Sequence, residues 1–284
     1  MRSLGSRVAA VALIVVLAAV VAFLVVAALE RGRGVTAPSG SASPAPTFTF
    51  GDAPSPSATP TADAANANPA TERFLAAQGD ELWRATAGAC GGEAPTVEYS
   101  TDDGASWTAA LPRSTTQVLG LTAITGGVEL VVTDGDCEPV VLRTFTSGLD
   151  WETQPISNAD VTYVWDAEVH SPADDVAAPC DEVQSARSSR GVIGVVCDAS
   201  AFALLDGNWT ELTTRAVALD AVSGTVVVAH RTDECNGLAV TRFTGAETDE
   251  LMCMTDAVDT PTAMWLLDGR LLLWSGDDVV AATL

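Results

Sequence analysis

The chain has 284 residues, with 37 acidic side chains against 14 basic ones and a formal net charge of −23. Four basic and four acidic residues precede position 73, so residues 73–284 hold ten arginines against 33 carboxylates. A surface of that sign excludes nucleic acid and anionic bilayers as partners, because both require a basic patch.

Residues 1–7 are short and basic, and residues 8–29 form an unbroken apolar run of 22 residues. As a helix, that run crosses a hydrocarbon layer of about 30 Å, whereas the apolar region of a cleaved signal spans about 7 to 15 residues. We therefore read residues 8–29 as a single-pass membrane anchor. Arg2 and Arg7 on one side balance Arg31 and Arg33 on the other, so charge does not orient it. The cysteines beyond it place the C-terminal region outside the cytoplasm, with residues 1–7 inside. Residues 30–72 follow as a Pro/Ala/Ser/Thr-rich linker. Half of the 14 prolines fall within residues 34–72. With almost no aliphatic periodicity, this linker cannot repay the entropy of ordering and is expected to be a disordered stalk.

From Arg73 onward, short runs of Val, Leu, Ala and Thr are broken by Gly, Asp and Asn, without a helical stripe. This reads as all-β. Residues 121–128 align with residues 219–226 at an offset of 98, and the same offset pairs Cys137 with Cys235 and Phe145 with Phe243. Half of that offset approximates the roughly 40 to 50 residues of a β-propeller blade. Gly79, Gly126, Gly191, Gly224 and Gly269 each sit between two apolar runs, as the first hairpin of a blade requires. Blades are expected near Phe74, Val118, Val183, Ala216 and Thr262, with residues 156–180 inserted before the third. Five blades are favoured, and six follow if the insertion hides a degenerate one. The last repeat has three strands, so residues 70–75 are the expected closing strand.

Residues 100–107 read Ser-Thr-Asp-Asp-Gly-Ala-Ser-Trp, in which Ser100, Asp102 and Ser106 can bond turn backbone, Gly104 can take positive φ and Trp107 can wedge into a core. Residues 144–151 keep Thr144, Gly148 and Trp151 but place Thr146 where the first copy has Asp102. On these turns, residues 73–284 resemble the sialidase-like BNR/Asp-box β-propellers. The all-arginine basic usage fits a GC-rich, actinobacterial-type membrane protein. The resemblance places these boxes at the periphery, with a structural role, and raises a sialidase-type hydrolase as an activity. That activity needs three arginines around the substrate carboxylate and a Tyr–Glu nucleophile pair. No sialidase catalytic motif is found. Tyr99 reads as a strand residue, and Tyr163 has no Glu-containing motif beside it.

Cys90, Cys137, Cys180, Cys197, Cys235 and Cys253 lack zinc-ligand spacing and read as disulfides. Six cysteines allow about fifteen pairings. We favour Cys180–Cys197 and Cys235–Cys253, each of which would join neighbouring strands of one blade, leaving Cys90 with Cys137 at equivalent positions of adjacent blades. His170 and His230 lack a nucleophile motif, and the acidic loops at Asp134, Asp174 and Asp277 lack calcium-loop spacing. Asn208 lies in a glycosylation sequon that reads better as a hairpin. Arg143 and Arg242 are out of register and should face different ways, while Arg187 and Arg190 lie near a turn beside solvent. No catalytic, cofactor or metal residue is assigned.

The function that follows is a non-catalytic, membrane-tethered binding or scaffold propeller. It is a monomer at the cell membrane whose ligand is an extracellular protein or glycan. The alternatives are a glycoside hydrolase with an unrecognised site, which would need arginines and carboxylates converging at one mouth, or an assembly factor for a membrane complex.

Overall fold

The computed structural model describes residues 69–257, 262–267 and 269–284. The expected anchor at residues 8–29 and the stalk as far as residue 68 lie outside them. Among the described residues, no helix is long and apolar enough to cross a membrane.

The described strands form six antiparallel sheets. Blade 1 contains β1 (Arg73–Gln78), β2 (Glu81–Thr86), β3 (Thr96–Ser100) and β4 (Thr108–Ala109). Blade 2 contains β5 (Gln117–Ile124), β6 (Gly127–Thr133), β7 (Pro139–Thr144) and β8 (Glu152–Gln154). Blade 3 is short, with β9 (Tyr163–Trp165), β10 (Glu168–His170) and β11 (Asp175–Ala177). Blade 4 runs through β12 (Val183–Ser189), β13 (Val192–Cys197), β14 (Ser200–Leu205) and β15 (Asn208–Thr214). Blade 5 has β16 (Ala216–Val222), β17 (Thr225–His230), β18 (Leu238–Thr244) and β19 (Glu247–Met254). Blade 6 has β20 (Thr262–Leu267), β21 (Arg270–Ser275) and β22 (Asp278–Thr283). The first strands contact one another in sequence, and β20 returns to β1, so the blades form a closed six-membered ring.

Period-two alternation explains why the ring holds together. Phe74 and Ala76 pack toward blade 2, whereas the intervening Leu75 packs toward blade 6. Each seam between neighbouring blades consequently has its own apolar cluster. Both faces of a blade are buried, which is why its first strands read as nearly continuous apolar runs.

Two expectations require correction. The ring has six blades rather than the favoured five, because the insertion folds into blade 3. Its strands are three residues long, and its hairpin turns through Asp166 and Ala167, with φ of 51° and 60°, instead of through a glycine. That two-residue turn has the twist a hairpin needs, at the steric cost of a left-handed alanine. Secondly, residues 70–75 do not complete the last blade. Arg73–Gln78 pairs with β2 as the first strand of blade 1, and blade 6 has three strands among the described residues. Side chains close the ring: Leu75 and Leu82 pack on Ala263, Leu272 and Trp274, and Arg270 pairs with Asp103 at 2.8 Å.

Three disulfides join Cys90–Cys137, Cys180–Cys197 and Cys235–Cys253. The first of these ties the loop after β2 to the loop after β6, crossing from blade 1 to blade 2.

A buried carboxylate pins the seam between blades 5 and 6. Asp220 accepts hydrogen bonds from the backbone N–H groups of Leu266 at 2.7 Å and Ala221 at 2.8 Å. Burial pushes its carboxyl up to about 6, against the pull of those donors and of Arg187. The native state therefore holds this proton to higher pH than the unfolded chain, whose carboxyl titrates near 3.8. Stability from this group is present at low pH and is lost as pH rises through that window. Relative to Asp220→Asn, the wild type should lose about 2 kcal/mol between about pH 4 and pH 7. Urea unfolding of both proteins at the two pH values checks this, and a pH-independent difference between them would contradict it.

Candidate functional site

The two tryptophan-bearing turns lie at the outer rim, joining the third to the fourth strands of blades 1 and 2. In the first, Ser100 Oγ accepts the N–H of Gly104 at 2.9 Å and donates to Asp102 Oδ1 at 2.7 Å. Asp102 in turn accepts the Ser106 hydroxyl at 2.6 Å and the Ser106 N–H at 2.9 Å. Gly104 takes φ of +86°, with Trp107 packed beneath it. The Ser106 hydroxyl, then the Ser106 N–H and the Ser100 hydroxyl, lower the Asp102 carboxyl to about 2. Stability from these bonds is present above the ordinary carboxylate range and is lost as pH falls toward 2. Carboxyl ¹³C NMR should give Asp102 a midpoint near 2, and an ordinary midpoint would contradict the bonding.

The second turn repeats the frame with a poorer acceptor. Thr144 Oγ1 accepts the N–H of Gly148 at 3.0 Å, and Thr146 Oγ1 accepts the N–H of Asp150 at 3.0 Å, the bond that Asp102 makes to Ser106 in blade 1. Gly148 lies against Ala110, where an added Cβ would sit 2.6 Å from the alanine Cβ. Trp151 meets Trp83 edge-on, with ring centroids 6.2 Å apart. Neither turn lines a described cavity.

The remaining candidates are dispersed. Tyr99 packs on Trp83, and Tyr163 stacks on His170 at 4.8 Å. Burial, and then Asp175, raises the Tyr163 phenol above its ordinary value. His230 lies between the hydroxyls of Thr213 and Thr241, and burial lowers its basicity. Arg143 is held by Glu129 at 2.6 Å and by Asp160 at 2.9 Å, and Arg242 lines a separate cavity of about 500 Å³ at the face where the first strands end. The expectation that the two face different ways is corrected by the strand register. Arg143 pairs with Glu129 and Arg242 with Val227, each partner being the third residue of its blade's second strand, so the two arginines hold equivalent positions and both turn toward the following blade. Asp134 Oδ1 accepts the N–H groups of Asp136 and Glu138, closing its loop on itself.

The mouth at which the first strands begin is different. A cavity of about 430 Å³ is lined there by Arg73, Arg215 and Arg231, with Glu72, Glu182 and Gln184. The hairpin of β16 and β17 sets two of the arginines side by side, since the N–H of Arg231 donates to the Arg215 carbonyl at 3.0 Å. Arg215 has φ of 54°, a left-handed conformation that costs roughly 1–2 kcal/mol without glycine. Gln184 and Val217, also at this mouth, are the extra residues of β-bulges near the starts of β12 and β16. Such bulges re-aim side chains where a strand terminates at a site. Arg73 brings a partly desolvated guanidinium whose buried Nε makes no hydrogen bond, and burial lowers its basicity.

Arg187 corrects another expectation. It is buried at the ring centre instead of facing solvent by a turn, with its side chain 13% exposed. From blade 4, it crosses to the opposite blade 1, pairing with Glu72 Oε1 at 3.4 Å and donating to the Arg73 carbonyl at 3.3 Å. Its guanidinium lies 5.1 Å from the Phe74 ring centroid. Together, Arg187 and the three lining residues bring four of the ten arginines of residues 73–284 to the ring centre and its mouth.

No known protein family matches the chain, and neither does any curated protein. Solved structures that resemble it include the SapL1 lectin in complex with alpha methyl fucoside, at 11% identity and a TM-score of 0.44 over 75% of this chain and 95% of that one. The Hadza microbial sialidase Hz136 is 14% identical, with a TM-score of 0.33 over 75% of this chain, which spans about half (52%) of the sialidase. An alpha-L-arabinofuranosidase from Clostridium thermocellum is 10% identical, with a TM-score of 0.36 over 72% of this chain and 80% of that one. Lectins and hydrolases thus occur together among proteins resembling this fold, and the likenesses carry no argument for either activity.

Proposed function

We propose that the chain is a non-catalytic binding propeller that holds the anionic group of its ligand at the arginine-lined mouth. The observation that carries this reading is the meeting of Arg73, Arg215 and Arg231 on one cavity of about 430 Å³, in a region where carboxylates outnumber arginines 33 to ten. Guanidinium forks match carboxylates in shape and in charge. The disulfides support an extracytoplasmic location, tethered by residues 8–29, and the two rim turns are read as Asp-boxes supporting blade edges. Neither tyrosine lines the mouth, which favours binding over a sialidase-type displacement. The convergence of arginines with Glu72 and Glu182 nevertheless keeps glycoside hydrolysis as a second reading, tested by release of a fluorogenic acidic glycoside.

Calorimetric titration of the full-length chain with D-glucuronate and D-glucose tests the binding reading, because the two sugars differ by one carboxylate. Saturable, salt-weakened glucuronate binding is expected, without glucose binding. Arg231→Gln should reduce the affinity roughly tenfold, the scale of one charge-assisted hydrogen bond. Equal binding of both sugars, or of neither, would contradict the proposal.

A further inference from the structure

The seam that closes the ring contains an alternating stack of cations and indoles that runs inward to the mouth. At the rim, the Arg84 guanidinium lies 4.0 Å from the Trp107 ring centroid and 5.0 Å from that of Trp274. At the mouth, the Arg73 guanidinium lies 4.2 Å from the same Trp274 ring. Trp107 belongs to the rim turn of blade 1, Arg84 to β2, Trp274 to β21 of blade 6, and Arg73 begins β1. Glu98 fixes the Arg84 link at 2.7 Å, and Gly276 of blade 6 accepts a hydrogen bond from Arg73 Nη1. The arginine that blade 1 contributes to the mouth is thus oriented largely by blade 6.

We propose that Trp274, Arg84 and Trp107 are positioning residues for Arg73, so that closure of the blade 1–blade 6 seam assembles the anion site. This rests on the reading of the mouth as a binding site. An unrestrained arginine has several rotatable bonds to order when it meets a ligand, and a guanidinium already stacked on an indole has fewer left to order. The geometry also explains an asymmetry between Trp107 and Trp151. Trp151 packs on the apolar cluster between blades 1 and 2 and meets Trp83 edge-on, whereas Trp107 stacks on a cation that leads to the mouth. By reciprocity, a ligand on Arg73 should tighten the seam.

The test is a double-mutant cycle on the full-length chain, read by glucuronate titration. Trp107→Leu should weaken glucuronate binding about three- to tenfold with the circular dichroism spectrum unchanged, and Trp107→Phe, which keeps an aromatic face, should recover most of the affinity. In an Arg73→Gln background, Trp107→Leu should have no further effect. Wild-type affinity in Trp107→Leu, or its full loss repeated without Arg73, would overturn the proposal. Guanidinium ¹⁵N NMR gives a readout independent of binding. Arg73 Hε should be shifted upfield by the Trp274 ring current, and Trp274→Phe and Trp107→Leu should each move it. A random-coil position in the wild type would also overturn the proposal. Absence of glucuronate binding in the wild type, with the ring-current shift intact, would instead refute the reading of the mouth and leave the positioning of Arg73 supported.

Discussion

Arg187→Ala is expected to destabilise the propeller by about 4 kcal/mol, the scale of removing one partner from a buried ion pair. The side chains of Arg187 and Glu72 are 13% and 3% exposed, and they join blades that are opposite each other in the ring. Alanine would strip Glu72 of its guanidinium, remove a charge that favours ionised Asp220, and expose Phe74 to a void. Arg187→Met keeps the apolar stem and should be nearly as destabilising, because the carboxylates dominate the loss. Adding Glu72→Gln should then recover much of the stability. Denaturant unfolding of the three variants separates charge from packing, and full wild-type stability in Arg187→Met would show that the pair contributes nothing.

Replacing Cys90 and Cys137 by serine should cost a similar amount, about 4 kcal/mol from lost loop closure in the unfolded chain. The bridge spans 47 residues, against 17 and 18 for the other two. It also crosses a seam, from the loop after β2 to the loop after β6, so its loss should loosen blade 1 against blade 2 beyond the entropic term. Removing Cys180–Cys197 should cost less, about 3 kcal/mol on the same scaling. Thermal and urea unfolding of the paired serine variants checks the ranking, and a larger effect from the shorter bridge would contradict it.

Much of the ring was legible in the sequence because its information is local and repeated. The expected blade starts at Phe74, Val118, Val183, Ala216 and Thr262 fall within one residue of the observed first strands. Glycine marks most of their hairpins, as the positive φ values of Gly79, Gly126, Gly191, Gly224 and Gly269 explain. Blade 3 escaped because Asp166 and Ala167 make the same kind of turn without that signature.

The mouth was far less legible. Arg73, Arg215 and Arg231 are separated by as many as 158 positions and meet only because the ring closes. A faint signal existed, since Arg73 opens β1 and Arg215 directly precedes β16, each at the threshold of a first strand. Arg187 was misplaced by local reasoning alone. Its proximity to a turn along β12 suggested solvent, but a first strand faces the ring centre, where Glu72 waits from 115 residues away.

The most direct test of the arginine mouth is a crystal structure of the chain with D-glucuronate. The account predicts the sugar carboxylate within hydrogen-bonding distance of the Arg73, Arg215 and Arg231 guanidiniums. Glucuronate seated instead in the opposite-face cavity beside Arg242, or an empty mouth at concentrations that saturate the solution titration, would contradict it.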